Sequence, residues 1–346
     1  MQPDKPAFFA MGRPDNPRWL APTGYRPRDE SFLGWQPYRI TSRFAWAAMK
    51  SAARWGVAPA MLPPDNFYVR CIANLDWREF GWRHKADPEP LVYLGTPGPR
   101  RKAVVHLIDP ASHHCELVVK VPIAEGAKQA IRHEAQSLLQ LEREGFSAAP
   151  RLVALDEAAG IASQTVLAGS RAPLKYTRET ALLLQSLERP GECLNSQAVT
   201  LSLETKLRRL ELAAADAPPI RQAIERISDN GDVPAVRIHG DFAPWNIKLQ
   251  NGTAALLDWE SSEARGLPLH DAYHFVHIAR CLFGKRPRPM WQELRFRYPF
   301  ILTAPQRRKL ELAYLAHMLV TDLASPGQSY ASYLLATLRE AMAVRP

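Results

Sequence analysis

The stretch VRIHGDFAPWNIKLQNGTAALLDWESSE, residues 236–263, alternates short apolar runs with polar residues at their ends. One apolar run leads into Asp241 and a second leads into Asp258, with Asn246 between them. The Asn-Gly pair at 251–252 is typical of a two-residue hairpin turn. Folding of this hairpin is expected to bring Asn246 and Asp258 to the same end of its two strands. Carboxylate and amide oxygens suit Mg²⁺, and the remaining carboxylate, Asp241, suits the acceptance of a proton from a hydroxyl.

The same stretch resembles the catalytic segment of the aminoglycoside phosphotransferase and choline kinase superfamily. That segment, roughly HGDxxxxN followed by an apolar run and (I/L)DWE, is present here as HGDFAPWN and LLDWE. The resemblance implies that Asp241 is the catalytic base, that Asn246 and Asp258 are magnesium ligands and that His239 supports the loop. Asp271, in GLPLHDAYHF, matches the family's downstream Asp, which supports the catalytic loop from the start of a helix. A helix N-cap is a compatible alternative for Asp271.

Two charged residues upstream fit the same resemblance. Lys120 lies inside the apolar strand ELVVKVPI, where a lone lysine needs a partner, and Glu134 lies in the helix that follows. The resemblance implies that Lys120 contacts the nucleotide phosphates and that Glu134 holds it. From the residues alone, a lysine in this position is more often a snorkelling residue at a sheet edge, and Glu125 or Glu142 could be its partner.

The loop expected to cover the nucleotide phosphates is a weaker match to the family. The segment YLGTPGPRRK contains the candidate phosphate-binding residues Gly95, Thr96 and Gly98. Whether Arg100, Arg101 or Lys102 also contacts phosphate is open at this point, and a basic turn without a nucleotide role is an equal alternative. By the resemblance, the lobe connection SQTVLAG offers backbone groups of Gln164 to Val166 to the nucleotide base. The cofactors expected are ATP (or GTP) and Mg²⁺.

The order of sequence patterns predicts an α+β, two-lobed, protein-kinase-like fold. Five short strand patterns and one amphipathic helix occupy residues 91–167, and six helical patterns follow, interrupted by 236–260. The expected divisions are an N-terminal extension over 1–75, a small antiparallel-sheet N-lobe over 76–168 and a larger helical C-lobe over 169–346. The first 38 residues are expected to form an extended or partly disordered arm.

The extension also contains an amphipathic helical pattern within residues 41–62. Phe44, Trp46 and Met49 follow helical spacing, while Arg43 and Lys50 lie largely on other faces. We expect this helix to pack against the body of the protein. The alternative is a basic, tryptophan-bearing helix that touches a membrane surface.

The composition is that of a globular protein with a net positive charge. The net charge of +9 at pH 7 favours an anionic partner, and four scattered cysteines without metal-ligand spacing fit a reduced, cytoplasmic setting. No apolar run in the sequence is long enough to predict a signal peptide or a membrane span. The segment 280–309 carries nine basic residues and one acid, which indicates a solvated face or an anionic acceptor. Aromatic residues in MWQELRFRYPF could stack on sugars or belong to the core.

These observations favour a Mg²⁺- and ATP-dependent kinase that phosphorylates a hydroxyl of a small, anionic or saccharide acceptor. No RNA-binding motif is present, so no nucleic-acid partner is expected. The competing interpretation is a non-catalytic kinase-fold module that binds nucleotide or regulates a membrane or glycan pathway. The presence of all five residues expected at the phosphate and catalytic sites argues against a non-catalytic module. These residues are Lys120, Glu134, Asp241, Asn246 and Asp258. The sequence does not indicate an oligomeric state.

Overall fold

The computed structural model describes residues 8–13, 16–23, 35, 37–55, 61–62, 66–210, 215–227, 232–292, 302–322 and 329–343. Two compact units emerge from the contacts between these residues. The first unit takes its described residues from 1–171, 248–251 and 255–260. The second unit takes its described residues from 172–247, 252–254 and 261–346.

The first unit is built on an antiparallel sheet with helices on its faces. Its elements are β1 (Phe8–Arg13), β2 (Asn16–Pro22), α1 (Ile40–Arg54), β3 (Met61–Leu62), α2 (Phe67–Ala73), β4 (Glu89–Leu94), β5 (Lys102–Ile108), β6 (Cys115–Pro122), α3 (Glu125–Arg143), β7 (Leu152–Asp156), β8 (Ile161–Thr165) and β9 (Ser170–Arg171). Eight strands form one sheet in the order β3-β1-β2-β4-β5-β6-β8-β7. Strands β4 to β8 are the five strands that the sequence predicts.

Both faces of this sheet are covered by apolar side chains. On one face, Val105 and Val119 belong to a core that α2 completes with Val69 and Ile72. On the other face, Trp19 and Trp46 belong to a second core that includes the buried side of α1. Because successive residues of a strand point to opposite faces, a strand buried on both faces has no polar positions to alternate with.

The described strands of the N-terminal arm, Phe8–Arg13 and Asn16–Pro22, are extended and belong to the sheet. Strands β1 and β2 form an antiparallel hairpin, and β2 pairs with β4 through Trp19 opposite Tyr93 and Leu20 opposite Val92. Strand β3 pairs with β1 at the end of the sheet. The helical pattern at 41–62 forms a helix only as far as Arg54, and Met61–Leu62 is strand β3.

Helix α3 packs beside the strand that carries Lys120. Its apolar stripe, including Ile131 and Ala135, packs against Ala162 of β8. The helix ends where the sequence predicts, because Gly145 adopts a positive φ of 73° that stops the helical turn. This packing turns Glu134 inward, where it is buried.

The second unit is mainly helical. Its elements are α4 (Arg178–Gln185), β10 (Glu188–Asn195), α5 (Ser196–Arg208), α6 (Ala217–Glu225), β11 (Asp232–Ile238), β14 (Glu263–Gly266), α7 (His270–Leu282), α8 (Ala304–Asp322) and α9 (Ser329–Ala343). All six predicted helices of this region are present. Strands β10, β11 and β14 form a small antiparallel sheet, and β11 leads directly into His239 and Asp241.

The hairpin of the opening stretch is also present. It consists of β12 (Ile247–Gln250) and β13 (Thr253–Leu256), which are neighbours in a sheet with β9. Asn251 and Gly252 form the turn between them, both with positive φ. Asn246 immediately precedes β12, and Asp258 follows β13 by two residues. Within the described residues, none of the helices has both the length and the apolar character needed to cross a bilayer.

Candidate active site

In the first unit, Lys120 and Glu134 form a buried ion pair. The Lys120 Nζ atom donates to both carboxylate oxygens of Glu134, at 2.6 Å to Oε1 and 2.5 Å to Oε2. Lys120 is carried by β6 and Glu134 by α3, which packs on that strand. Glu134 also accepts the backbone N–H of Trp259 at 3.2 Å. One carboxylate therefore holds both the strand lysine and the segment that contains Asp258.

Asp258 lies between two lysines of the same unit. Its Oδ1 atom accepts from Lys120 Nζ at 2.8 Å and from Lys102 Nζ at 2.7 Å. Burial disfavours the Asp258 carboxylate, but the two ammonium groups outweigh burial and hold its pKa far below the usual range. Its backbone adopts φ of 67°, which is uncommon outside glycine. Trp259, which is buried and donates its ring N–H to the Leu256 carbonyl at 3.1 Å, anchors this strained turn.

Lys102 joins this cluster from β5, the strand next to β6. Its Nζ contacts Glu260 as well as Asp258. Burial works against the Lys102 charge, yet the carboxylates of Asp258, Glu134 and Glu260 together raise its pKa. Burial and the neighbouring Asp258 raise the pKa of Glu260. Sequence reasoning left Lys102 open, and the register of β5 and β6, which places it diagonally opposite Lys120 on the same face, supplies the missing information.

The remaining candidate nucleotide residues lie around the same sheet. Gly95 follows β4, and its N–H donates to the Lys102 carbonyl at 2.9 Å. Gly98 and Thr96 lie in the exposed turn between β4 and β5. Arg101 turns away from that turn's tip and donates to Gly95 O at 3.1 Å, Tyr68 Oη at 2.6 Å and Asn16 Oδ1 at 3.0 Å.

Two further candidates lie on and just beyond strand β8. Gln164 is buried on β8, opposite Val118 of β6. Val166 follows the end of that strand and is half-buried. The pairing between β8 and β6 ends at Thr165, so the backbone after Thr165 lies outside this ladder.

In the second unit, Asp271 holds the segment that precedes Asp241. At the start of α7, its buried carboxylate accepts the backbone N–H of His239 at 2.7 Å and that of Gly240 at 3.0 Å. Burial raises the pKa of Asp271, and His239 and the two backbone N–H groups oppose that rise. Gly240 has φ of 84°, and a Cβ atom at this position would lie 2.2 Å from the Ser261 carbonyl oxygen.

Asp241 is fixed from two sides within the second unit. Asn246 donates its amide N–H₂ to the Asp241 carbonyl at 2.9 Å and to Asp241 Oδ2 at 2.8 Å. Since a carbonyl and a carboxylate oxygen both accept, the amide nitrogen must face Asp241, and the Asn246 Oδ1 atom points elsewhere. His274 Nε2 lies 3.2 Å from Asp241 Oδ1. The carboxylate is 38% exposed, so its oriented oxygens remain accessible.

His274 is a site residue that sequence reasoning did not find. It lies one helical turn after Asp271 on α7, and Tyr314 Oη lies 3.3 Å from its Nδ1. Because the Asp241 carboxylate only accepts, His274 donates from Nε2, and Nδ1 of a neutral ring accepts from Tyr314. Tyr314 Oη in turn contacts Tyr330 Oη at 2.6 Å. The three-residue spacing between Asp271 and His274, which places them on neighbouring turns of one helix, was the available signal in the sequence. It did not single out His274, because His270 and His277 lie on the same helix.

The donor atoms available in each unit are compatible with magnesium. In the described part of the chain, the hydrogen bonds of Asp258 all use Oδ1, which leaves Oδ2 available. The Asn246 Oδ1 atom is likewise directed away from Asp241. Both are the hard oxygen donors that Mg²⁺ takes in small numbers beside water and phosphate. Across those same described residues, no group of three or more His, Cys, Asp or Glu side chains forms a metal cage.

Several basic residues of the segment 280–309 have intramolecular partners. Arg280 donates to the Arg286 carbonyl at 2.8 Å, and Arg286 pairs with Glu340 at 3.1 Å. Arg307 donates to the Leu302 carbonyl at 2.6 Å. These contacts give part of the basic segment a structural role. Residues 293–301, including most of MWQELRFRYPF, lie outside the described residues.

The sequence model of the phosphotransferase enzyme family matches residues 97–310, more than half of the chain. The chain belongs to this family. The match contains Lys102, Lys120 and Glu134 of the first unit and the whole motif from His239 to Glu260. It confirms the family expected from HGDFAPWN and LLDWE, and it confirms that the protein is a phosphotransferase.

Solved structures similar to this chain include several kinases and phosphotransferases. A putative fructosamine-3-kinase from Thermobifida fusca YX-ER1 has a TM-score of 0.51 and 18% identity, covering 78% of this phosphotransferase and 97% of that chain. A thermostable mutant of aminoglycoside phosphotransferase APH(4)-Ia has a TM-score of 0.50 and 13% identity, covering 72% and 93%. The choline kinase LicA from Streptococcus pneumoniae has a TM-score of 0.49 and 15% identity, covering 72% and 92%. No curated protein sequence matches.

The first two likenesses confirm the predicted α+β, kinase-like fold. The roles of the individual site residues remain predictions.

Proposed function

We propose that this phosphotransferase transfers the γ-phosphoryl group of ATP to a hydroxyl of a small acceptor, with Mg²⁺ as the metal. The observation that carries the proposal is the fixed position of Asp241. His274 holds one of its carboxylate oxygens and Asn246 holds the other. The Asp241 side chain is 38% exposed, so an incoming hydroxyl can reach it.

Asp241 acts as the base in this proposal. The acceptor hydroxyl donates its proton to the Asp241 carboxylate as its oxygen attacks the γ-phosphorus. A new O–P bond forms, the bond from that phosphorus to the β-phosphate oxygen breaks, and ADP leaves with the electron pair. His274 is a positioning residue here, since its N–H to Asp241 fixes the carboxylate in one rotamer.

Lys120 is proposed to hold the nucleotide phosphates. Its ion pair with Glu134 at 2.5 to 2.6 Å fixes the ammonium group at the sheet surface. Its three N–H groups point to Glu134 Oε1, Glu134 Oε2 and Asp258 Oδ1, so in this proposal a nucleotide phosphate replaces one of these acceptors. The backbone of the turn with Gly95, Thr96 and Gly98 is proposed to cover the phosphates, and the backbone of Gln164 to Val166 to contact the base.

Asp258 and Asn246 are proposed as magnesium ligands, each from the contacts that it makes within its own unit. Asp258 would bind through Oδ2 and Asn246 through Oδ1, the oxygens that their hydrogen bonds leave available. When bound, magnesium neutralises negative charge that develops on the transferred phosphoryl group. His239 and Asp271 are proposed as supports of the Asp241 loop.

The acceptor is proposed to be a small hydroxyl compound, with saccharides and anionic compounds as the first to test. The net positive charge of the chain supports an anionic acceptor. The intramolecular contacts of Arg280, Arg286 and Arg307 reduce the number of free cations that the segment 280–309 can offer.

The test is Mg²⁺-dependent conversion of ATP to ADP in the presence of sugars, sugar phosphates, amino alcohols and aminoglycosides. For an acceptor that supports turnover, Asp241→Asn is expected to lower kcat by about 10²- to 10⁴-fold while leaving nucleotide affinity unchanged. The matched control is Asp216→Asn, the same chemical change at an ion pair with Arg339. Transfer that proceeds at the wild-type rate in Asp241→Asn refutes the proposal.

A nucleotide-binding measurement separates the proposal from the non-catalytic alternative. Lys120→Met is expected to weaken nucleotide binding by about tenfold or more, since it removes the fixed ammonium group. Nucleotide binding that requires Lys120, without transfer to any acceptor and without ATP hydrolysis, supports a binding module. Binding that is indifferent to Lys120→Met contradicts the assigned phosphate contact.

A further inference from the structure

Among the described residues, helix α1 packs on the core of the first unit through the side that carries Trp46 and Met49. Trp46 is buried, and its ring lies 5.7 Å from that of Trp19 and 4.5 Å from that of Trp35. Met49 packs against the same core. These contacts fix the rotation of α1 about its axis, so the direction of every other side chain on the helix is set.

The opposite side of α1 exposes large apolar side chains. Ile40 is 69% exposed, Phe44 73% and Trp55 83%. With 3.6 residues per turn, these three fall within about 60° of one another around the axis, facing away from Trp46. Ala47 and Ala48, also exposed, border this stripe on either side, and the exposed Ser51 lies within it. Trp55 continues the helical hydrogen bonding, since its N–H donates to the Ser51 carbonyl at 3.0 Å.

An exposed methionine lies on the same face of the sheet. Met61 of β3 is directly opposite Phe9 of β1. Residues directly opposite in an antiparallel pair share a face, and Phe9 belongs to the core on which α1 packs. Met61 is 65% exposed. The side of the first unit that carries α1 therefore presents apolar groups from two separate elements.

Basic residues flank the apolar stripe, and the helix has no acid. Arg43 and Lys50 fall on α1 between the exposed stripe and the buried Trp46, and Arg39 immediately precedes the helix. The residues Ile40–Arg54 contain no Asp or Glu. A positive flank beside an apolar stripe with aromatic residues matches the boundary between phosphate headgroups and acyl chains.

We propose that α1 binds an anionic lipid surface, with Ile40, Phe44 and Trp55 entering the bilayer interface and Arg43 and Lys50 contacting lipid phosphates. A bilayer accepts a convex apolar stripe without a complementary groove, whereas a protein partner needs matched shape and hydrogen bonds. The charge of α1 favours anionic over neutral lipid. This inference does not depend on the proposed reaction, since no α1 residue belongs to the candidate active site.

The experiment is co-sedimentation of the full chain with vesicles of phosphatidylcholine alone or mixed with phosphatidylserine. The expected result is binding to the mixed vesicles that weakens as salt is added, with at least about tenfold weaker binding to phosphatidylcholine alone. Equal binding to both vesicles, or no binding to the mixed vesicles at low salt, overturns the proposal.

Variants assign the binding to the stripe. Phe44→Ser with Trp55→Ser is expected to reduce vesicle affinity by about tenfold or more. The matched control is Leu182→Ser with Leu201→Ser, which removes two exposed apolar side chains, 50% and 64% exposed, from helices of the second unit. Loss of binding in both pairs, or in neither, overturns the proposal.

Charge variants and self-association provide two further readouts. Arg43→Glu with Lys50→Glu is expected to abolish the preference for anionic vesicles, while Arg221→Glu on exposed α6 leaves it unchanged. Thermal unfolding of each variant at the wild-type temperature confirms that the fold is kept. A dimer in sedimentation velocity that Phe44→Ser dissociates would assign the stripe to a second copy of the chain and overturn the lipid proposal.

Discussion

The contact of Lys102 with Asp258 and Glu260 leads to a double-substitution test. Lys102→Met keeps the length of the side chain and removes its charge from a buried cluster. Removing one partner of a buried ion pair costs about 3–5 kcal/mol. Here Lys120 remains 2.8 Å from the same Asp258 oxygen, and Glu260, whose pKa is already raised, can take up a proton. Both effects reduce the cost, so the free energy of unfolding is expected to fall by about 2–3 kcal/mol.

A second change separates the charge of Glu260 from the rest of the cluster. Glu260→Gln removes the carboxylate that loses its cation in Lys102→Met. If the two side chains are coupled, the double variant is expected to be more stable than the sum of the single changes predicts, by at least about 1 kcal/mol. The control is Lys128→Met, which breaks an exposed pair with Glu125 at 3.3 Å and should cost no more than about 0.5 kcal/mol.

The assay is urea unfolding at pH 7, followed by tryptophan fluorescence. A Lys102→Met variant as stable as the Lys128→Met control would refute the assignment of Lys102 to the cluster. Additive free energies in the double variant would show that Lys102 and Glu260 do not act on each other. The same variants also test function, because a displaced Asp258 should weaken Mg²⁺-dependent nucleotide binding, measured by calorimetry.

Three other substitutions are expected to have measurable effects. Asp271→Asn leaves one backbone N–H without a carboxylate acceptor, so it should lower stability by about 2–3 kcal/mol in thermal unfolding. It should also lower the rate of phosphoryl transfer at least tenfold, because the loop that orients Asp241 loses a support. Gly240→Ala should cost about 3 kcal/mol or more, since its Cβ would lie 2.2 Å from the Ser261 oxygen; Gly252→Ala, with φ of 76° but open space, should cost only about 1 kcal/mol in the same melts. Burial lowers the pKa of His106 to about 4, so between pH 6.5 and 4 the unfolded chain binds a proton that the folded chain does not. The free energy of unfolding should therefore fall by up to about 3 kcal/mol as pH is lowered through that window. Urea unfolding at pH 7 and pH 4.5 should show a correspondingly smaller fall for His106→Gln than for the wild type. Equal falls in the two proteins contradict this account.

The hairpin of β12 and β13 and the pair of Lys120 with Glu134 could be predicted because the residues of each are close in sequence. The Asn-Gly turn signal of the hairpin is unambiguous. Lys120 and Glu134 are a strand and the next helix, which pack together in any compact arrangement. Such short-range relations need only periodicity and turn chemistry.

The contributions of Lys102 and His274 needed tertiary information. Lys102 is more than 150 positions from Asp258, and only the register of β5 with β6 turns it toward Lys120. His274 is one of three histidines on α7, and its contact with Asp241 depends on how that helix packs. A sequence pattern assigns a residue to a face, but it does not say what that face meets.

The N-terminal hairpin could not be predicted for a different reason. In β1, Phe8 belongs to one core and Phe9 to the other, so both faces of the strand are apolar. The alternation that indicates a strand is then absent. Its partners are also distant, since Leu20 of β2 pairs with Val92 of β4.

The hairpin also changes what counts as a minimal version of this protein. The family match begins at residue 97, and a shortened chain started near that point would lack β1, β2, β3 and β4. A chain started at residue 76 would keep β4 but leave its outer edge open, because Val92 and Tyr93 would lose their partners on β2. Open apolar strand edges pair with other chains. In the full chain, β2 covers this edge of β4, so the N-terminal extension protects the sheet against such pairing.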